Sequence, residues 1–219
     1  MGFFLPANAN FRRLTWADFR RVNAPAPVPG TRVVAAQTAV GYRMIPDVLH
    51  FARAPFLKEP SFVMTEDPNV SVELDANGTF VESWVFARPL GIQNALLAHE
   101  QGHYEIGMLN ARDFFFGLQD IQDTAFATAK EGTNAVSNLD KQLGNVQKIH
   151  DKYDSDTNHG HIPTMQTVWI AALSNARITF VRPSLRVALA NLFGAGNSTP
   201  AVSLRTQRIS WRTSQARFA

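Results

Sequence analysis

The sequence contains no cysteine, and this absence limits both its covalent and its metal chemistry. No disulfide framework can form, and a tight metal site has to use histidine, aspartate, glutamate or tyrosine. The chain also has no glycine-rich phosphate loop, no Gly-x-Ser-x-Gly segment and no thiol nucleophile. Other hydrolase classes therefore have no support comparable to that for the metal-dependent class described below.

Long apolar segments are absent as well. The longest apolar runs are far shorter than a membrane-spanning helix requires, so we expect no integral membrane segment. The first residues, MGFFLPANANFRRL, do not show a basic leader followed by a long apolar stretch, so we expect that a signal peptide is absent or was removed. With 219 residues, 45% of them hydrophobic, the chain can form one packed core.

Acidic residues are missing from the C-terminal part of the chain. All 18 lie at or before Asp156, and residues 1–156 also contain 14 basic residues. Residues 157–219 contain seven arginines, no lysine and no acidic residue. Such a basic region could bind an acidic partner or an anionic surface, such as nucleic acid or a lipid membrane. The alternative is that it packs against the acidic body of the protein and neutralises it.

Strand patterns occur in the first half of the chain. Residues 31–45 alternate small and apolar side chains, and residues 70–74 alternate apolar with polar ones. The Asn77-Gly78 pair is a strong tight-turn signal, because both residues tolerate positive φ. Residues 79–85 then resemble a returning strand, so the pattern predicts a hairpin in a small antiparallel sheet.

Helical patterns follow Pro89. The first predicted helix runs from Leu90 to about Gly117, and the second begins near Gln119 or Asp120. Steps of three and four mark an apolar stripe on the second helix that we expect to face the core; its members are Val136, Leu139, Leu143, Val146 and Ile149 or His150. Residues 151–160 are rich in Asp, Asn, Ser and Gly and predict a loop. Residues 165–193, interrupted by Pro183, predict two short helices or a helix and a strand.

The segment His99-Glu100-Gln101-Gly102-His103 carries the chemistry. Positions four apart lie on one face of a helix, so His99 and His103 can direct their imidazoles at one ion, and this spacing suits Zn²⁺. Glu100 is one step round the helix and can reach a water on the metal, whose pKa zinc lowers to about 7. It is the predicted general base. Gly102 costs about 1 kcal/mol of helix propensity relative to alanine, but it lets a neighbouring element or a substrate approach closely.

A catalytic zinc needs a third protein ligand and one open position. Residues 150–161 hold three histidines and three carboxylates, and they follow the second helix, so a helical hairpin could return them to the motif. His159 is the first choice for the third ligand and Asp154 the second, followed by His161 and Asp156. Glu105 points away from the metal face.

Two residues of the same segment have further predicted roles. If His159 is the ligand, Asp154 fits the carboxylate that orients a ligating histidine. The phenol of Tyr153 could stabilise the oxyanion that forms during hydrolysis. The alternative for the whole segment is a solvated polar loop.

The residues LLAHEQGHYEI (96–106), with Tyr153-Asp154-x-x-Thr157-x-His159-Gly160, resemble a family of bacterial proteins catalogued as a domain of unknown function and described as secreted zinc-dependent proteases. Residues 14–19 and Ser83-Trp84 also resemble its pattern. The resemblance implies that His99 and His103 bind zinc, that Glu100 is the base, and that the later motif forms the other wall of the site. It also implies a secreted or periplasmic location, and it leaves open whether Asp154 or His159 binds the metal.

The sequence therefore predicts an α+β, zincin-like fold in which a small antiparallel sheet packs on a helical pair. Residues 1–162 form the expected metallopeptidase domain, and residues 163–219 form an arginine-rich extension that we expect to pack on it. The predicted function is hydrolysis of peptide bonds in a protein or peptide substrate, by Glu100-assisted attack of a zinc-bound water, with one Zn²⁺ per chain. The alternatives are a zinc amidase acting on cell-wall peptides and a non-catalytic zinc protein that binds through its basic C-terminal region.

Overall fold

The computed structural model describes residues 11–24, 33–55, 61–144, 146–178, 185 and 212–218. Seven strands and four α-helices lie in these ranges, with short 3₁₀ turns at Trp16–Asp18 and Ser83–Ala87. The strands are β1 (Arg20–Val22), β2 (Val33–Ile45), β3 (Phe51–Arg53), β4 (Phe62–Met64), β5 (Asn69–Leu74), β6 (Phe80–Glu82) and β7 (Arg212–Phe218). The helices are α1 (Leu90–Gln122), α2 (Ala129–Leu143), α3 (Val146–Thr157) and α4 (Pro163–Ile178).

The main sheet is built around β2 and confirms the α+β class. β5, β6 and β7 each run antiparallel to β2, and β1 joins the outer side of β6 in parallel. The sheet is therefore mixed, whereas the sequence predicted an antiparallel one. β3 and β4 form a separate two-stranded antiparallel sheet.

The predicted hairpin between residues 70–74 and 79–85 is wrong. β5 and β6 both run antiparallel to β2, so they point in the same direction. Because β7 pairs with the opposite edge of β2, β5 and β6 lie one after the other on the same edge and do not pair with each other. Residues 75–79 do form a turn between the two strands, because the Thr79 amide donates to the Asp75 carbonyl, but neither Asn77 nor Gly78 has the positive φ on which the prediction was based. A Cβ at Gly78 would lie 2.7 Å from the Ala39 Cβ, so the glycine permits the loop to cross β2 closely.

Helix α1 lies between two apolar clusters. On one side Tyr104 and Met108 pack with sheet residues such as Val70 and Val81. On the other side Ile106 and Leu109 pack with residues of α3 and α4. A helix that is covered on two faces needs apolar residues around most of its circumference, which explains the long apolar stretch that the sequence shows here.

The predicted second helix is two helices, and the predicted loop at residues 151–160 is mostly helical. α2 ends at Leu143 with Gly144 as its C-cap, and α3 continues through the polar segment to Thr157. Steps of three and four place His150, Tyr153 and Thr157 on one buried face, while the charged residues between them face outward. The residues predicted to form one apolar stripe are divided between two clusters: Val136, Leu139 and Leu143 of α2 pack with the sheet, and Val146 and Ile149 of α3 pack with α4.

The described part of the C-terminal extension is joined to the same core. Trp169 and Leu173 of α4 are fully buried, and the Trp169 Nε1 donates to Asp156 Oδ2 at 3.0 Å. The guanidinium of Arg112 on α1 donates to the carbonyls of Ala176 and Arg177 at the end of α4, where helix carbonyls lack intrahelical partners. Most of residues 179–211, which hold part of the arginine-rich region, lie outside the described residues.

None of the described helices combines the length and the apolar character that crossing a bilayer requires.

Two glycines of α1 allow a test of the packing between α1 and the sheet. A Cβ at Gly107 would lie 2.7 Å from the Cβ of Val40, whereas a Cβ at Gly91 would meet no atom within 4 Å. We expect Gly107→Ala to lower the free energy of unfolding by about 1–2 kcal/mol, because overpacking outweighs the gain in helix propensity. Gly91→Ala is the matched control and should cause no loss. Equal denaturant midpoints for the two variants would contradict this packing.

Candidate metal centre

Helix α1 presents its two motif histidines one turn apart on a buried face. The side chains of His99 and His103 are fully buried, and their Nε2 atoms are 3.1 Å apart. The spacing of four residues produces this arrangement, because it returns the second side chain to the same face of the helix. The two imidazoles therefore converge on one point between α1 and α3.

Asp154 of α3 completes a group of three potential ligands. Its Oδ1 is 3.0 Å from His99 Nε2 and 2.9 Å from His103 Nε2. The Asp154 side chain is 14% exposed, so the group is open to solvent on the carboxylate side. In the described part of the chain this is the group of histidines and carboxylates that could hold a metal ion.

The donor set fits zinc. Two imidazole nitrogens and one carboxylate oxygen are ordinary zinc ligands, and bonds of about 2.0–2.1 Å in a tetrahedron imply donor separations of about 3.3 Å. The observed separations of 2.9–3.1 Å are close to that value. Other divalent first-row metals accept the same donors, so the geometry supports a metal site without selecting the metal.

Protonation states in the group also suit a metal. Burial alone would raise the pKa of Asp154, but hydrogen bonds from His103 and His99 outweigh it and hold this pKa well below its usual range. Burial lowers the pKa of His103 to about 4, which keeps its imidazole neutral at physiological pH. A neutral imidazole and an ionised carboxylate are the forms that bind metal.

His159, the first choice for the third ligand, lies beside the group. Its Nδ1 is 3.4 Å from Asp154 Oδ1, and its ring centroid is 6.4 Å from that of His99. Residues 158–160 all have positive φ, and a Cβ at Gly160 would lie 3.1 Å from the His99 Cβ. The turn therefore packs tightly on His99 and leaves His159 next to Asp154, so the structure favours Asp154 as the third ligand.

The lower-ranked candidates lie away from the three donor atoms. Asp156 accepts hydrogen bonds from Lys152 and Trp169 on the opposite side of α3. His161 is exposed at the start of the connection to α4. Glu105 accepts from Gln101 and lies 4.0 Å from Arg177, which agrees with the prediction that it points away from the metal face.

Glu100 is buried beside the three potential ligands. Its Oε2 accepts a 2.6 Å hydrogen bond from the hydroxyl of Thr38 on β2. Its Oε1 is also buried, and no hydrogen-bond partner for it occurs among the described residues. Burial raises the pKa of Glu100 to about 7, against the opposing effects of His99 and of the Thr38 hydrogen bond. The carboxylate is thus poised to gain or lose a proton near neutrality.

Tyr153 has a different place from the one predicted. Its hydroxyl donates to the carbonyl oxygen of His99 at 3.1 Å and accepts from the amide of Gln166. Its ring stacks on the His99 imidazole, with centroids 4.7 Å apart and an interplanar angle of 12°. Because its single proton is committed to a backbone carbonyl, this geometry does not fit oxyanion stabilisation. Tyr153 instead holds the His99 ring in position.

Gly102 explains how Tyr153 comes so near. A Cβ at this position would lie 2.2 Å from the Tyr153 hydroxyl oxygen and 2.5 Å from its Cζ, so only glycine fits. The sequence predicted that this glycine permits a close approach, and the approaching element is α3.

His150 is a site residue whose role the sequence analysis missed. Its Nδ1 is 2.9 Å from the Nδ1 of His103, and both rings are buried. If Nε2 of His103 binds the metal, the His103 proton must sit on Nδ1, so His150 Nδ1 is the acceptor. Burial lowers the pKa of His150 to about 3, which keeps it neutral and able to accept. The signal that could have found it is the helical spacing of His150, Tyr153 and Thr157.

Two weaker polar contacts surround the outer nitrogen of His99. Gln166 Oε1 and Thr157 Oγ1 each lie 3.4 Å from His99 Nδ1. Gln166 belongs to α4, beyond the region of the family resemblance, and a single glutamine in an early helical turn gives no recognisable sequence signal. Both contacts favour the tautomer that leaves His99 Nε2 free to bind a metal.

Comparisons with protein-family models, with curated proteins and with solved structures give no match for this chain. The family resemblance of residues 96–106 and 153–160 therefore stays a prediction.

The choice of third ligand can be tested by metal content. We expect the protein purified without chelators to hold about one zinc ion per chain, and Asp154→Asn to lose most of it because a charged ligand is removed. His159→Gln is the matched control at the neighbouring position and should retain the metal. Elemental analysis with both variants gives the answer, and loss of zinc in His159→Gln alone would show that His159 is the ligand.

The orienting role of His150 predicts a difference between two substitutions. His150→Phe removes the acceptor for His103 Nδ1 while keeping a ring, and we expect zinc affinity to fall about 10- to 100-fold. His150→Asn keeps an acceptor oxygen near the same position and should stay within a few-fold of the parent protein. Competition titrations with a chromogenic zinc chelator measure both, and equal affinities would argue against the hydrogen bond.

Proposed function

We propose that this chain is a zinc-dependent metallopeptidase of the HExxH, zincin-like type. In this proposal His99, His103 and Asp154 hold the zinc, and Glu100 is the general base. The observation that carries the proposal is the position of Glu100, a buried carboxylate with one oxygen fixed and one oxygen without a described partner, beside a metal-binding group.

The burial of Glu100 favours catalysis over a purely structural metal site. Burying a carboxylate with incomplete hydrogen bonding costs free energy, and a metal site that only holds the fold together gains nothing from it. A general base, however, needs a pKa near the working pH and an oxygen that is free to accept a proton. The pKa of about 7 and the position of Oε1 meet both requirements.

The residues around the metal group have separate roles in this mechanism. Zinc, when bound, supplies an acidified water and a Lewis acid that polarises the carbonyl of the scissile bond. Glu100 accepts the water proton at Oε1 and passes it to the leaving amine, while Thr38 prevents rotation of its carboxylate by holding Oε2. Tyr153 and His150 fix the two ligating imidazoles from outside.

Peptide bonds are the proposed substrate because the HExxH arrangement of ligands and base is that of amide-hydrolysing metalloenzymes. A zinc amidase acting on cell-wall peptides would use the same arrangement, since both reactions attack an amide carbonyl. A substrate panel that contains unfolded protein, short peptides and cell-wall peptides distinguishes the two activities.

The role of Glu100 is tested with an isosteric substitution. Glu100→Gln should keep zinc, because the residue is not a ligand, and should lose hydrolysis by about 10²- to 10⁴-fold, because the proton acceptor is gone. Glu105→Gln is the matched control: the same change on the same helix, in a side chain that contacts Gln101 and Arg177 instead of the metal group. Peptide cleavage is measured on zinc-loaded protein, with the chelated protein as a blank. Full activity in Glu100→Gln would refute the proposed mechanism.

A further inference from the structure

Strand β2 is paired on both of its edges. Ala36 and Gln37 pair with Val81 and Phe80 of β6, and they also pair with Ala216 and Gln215 of β7. Because one residue can belong to two ladders only on opposite edges, β6 and β7 flank β2 from opposite sides. The C-terminal strand β7 therefore covers one edge of β2 from Val33 to Val40.

This covered edge lies at the candidate metal centre. Thr38, which holds Glu100 through its hydroxyl, is the β2 residue that pairs with Ser214 of β7. β7 also contacts both α1 and α3, the helices that carry the three potential metal ligands. Backbone of the chain's own C-terminal segment thus runs along the strand that supports the base.

An extended peptide substrate needs the same position. Addition of a peptide as an extra strand to a sheet edge is a common mode of peptide binding, since the main-chain hydrogen bonds suit any sequence. The edge of β2 that passes the metal group is the suitable one, because β5 and β6 fill the other edge as parts of the sheet. A substrate strand and β7 cannot occupy this edge together.

We propose that residues 212–218 occupy the place of the peptide substrate, so that the enzyme is autoinhibited until this strand leaves. This inference rests on the proposed peptidase function. The ladder has a register shift between Val34 and Ala36, which weakens the pairing. Buried Trp169 and Leu173 hold α4 in the core through their packing with α1 and α3, not through pairing with β7.

The test blocks the pairing of β7 in the full-length, zinc-loaded protein. The double variant Ser214→Pro/Gln215→Pro removes two adjacent backbone donors, at least one of which faces β2, and Ser214→Ala/Gln215→Ala is the matched control that keeps both. We expect a fluorescent peptide with the sequence of residues 212–218 to bind the proline variant and not the control. We also expect the proline variant to cleave peptides with a kcat/KM at least about tenfold higher than that of the alanine control. The reason is that a larger fraction of its molecules has the β2 edge free to bind substrate.

The outcomes separate this inference from the proposed function. A folded proline variant that neither binds the peptide nor gains activity over the control would overturn the autoinhibition. Peptide binding without hydrolysis in either variant would leave the strand assignment standing and refute the peptidase function. Loss of cooperative unfolding or of zinc in the proline variant would show that β7 is an integral strand, which also overturns the inference.

A second measurement needs no substitution. Hydrogen exchange is followed in the parent protein before and after addition of a peptide hydroxamate, a class of compound that binds zinc in place of the substrate. If β7 and the substrate compete, the amides of residues 212–218 should lose protection when the hydroxamate binds. Unchanged protection in this segment, with the hydroxamate demonstrably bound, would contradict the proposal.

Discussion

The contact between Tyr153 of α3 and Gly102 of α1 is the constraint on which the candidate site depends. With no side chain at Gly102, the phenol lies against the α1 backbone and bonds the carbonyl of His99. This contact fixes the separation of the two helices, and the next residue of α3, Asp154, then lies within about 3 Å of both histidine Nε2 atoms. A larger residue at Gly102 would move α3 outward and separate the three ligands.

The polar groups around this contact are buried to an extent that stability alone does not explain. His99, Glu100 and His103 are fully buried, and His150 nearly so, in the layer between the sheet and the outer helices. The imidazoles are satisfied by one another and by Asp154, Gln166 and Thr157. Only Glu100 keeps an oxygen without a described partner, and a function at that oxygen offsets the cost of burying it. The sheet contributes Thr38 to the site, and the helices contribute the potential metal ligands and the residues that orient them.

Sequence patterns within a single helix or turn predicted only features that depend on residues close together in the sequence. The facing of His99 and His103 follows from their spacing on one helix, whereas the Asn77-Gly78 signal predicted a turn but not which strands it joins in the sheet. The third ligand could not be predicted in this way, because its position depends on α3 remaining helical through residues 151–157. That helix is stabilised by the burial of His150, Tyr153 and Thr157 against α1. The same holds for Gln166 and for β7, whose positions depend on contacts with distant parts of the chain.

One metal ion is expected to bind between His99, His103 and Asp154. The most direct test is a crystal structure of the zinc-loaded protein with anomalous diffraction recorded on both sides of the zinc absorption edge. We expect a single strong anomalous peak at about 2.0–2.2 Å from His99 Nε2, His103 Nε2 and Asp154 Oδ1. A peak bonded to His159 in place of Asp154 would correct the ligand set. The absence of a peak at the two motif histidines, in protein that has been dialysed against zinc, would contradict the metal centre and the function proposed from it.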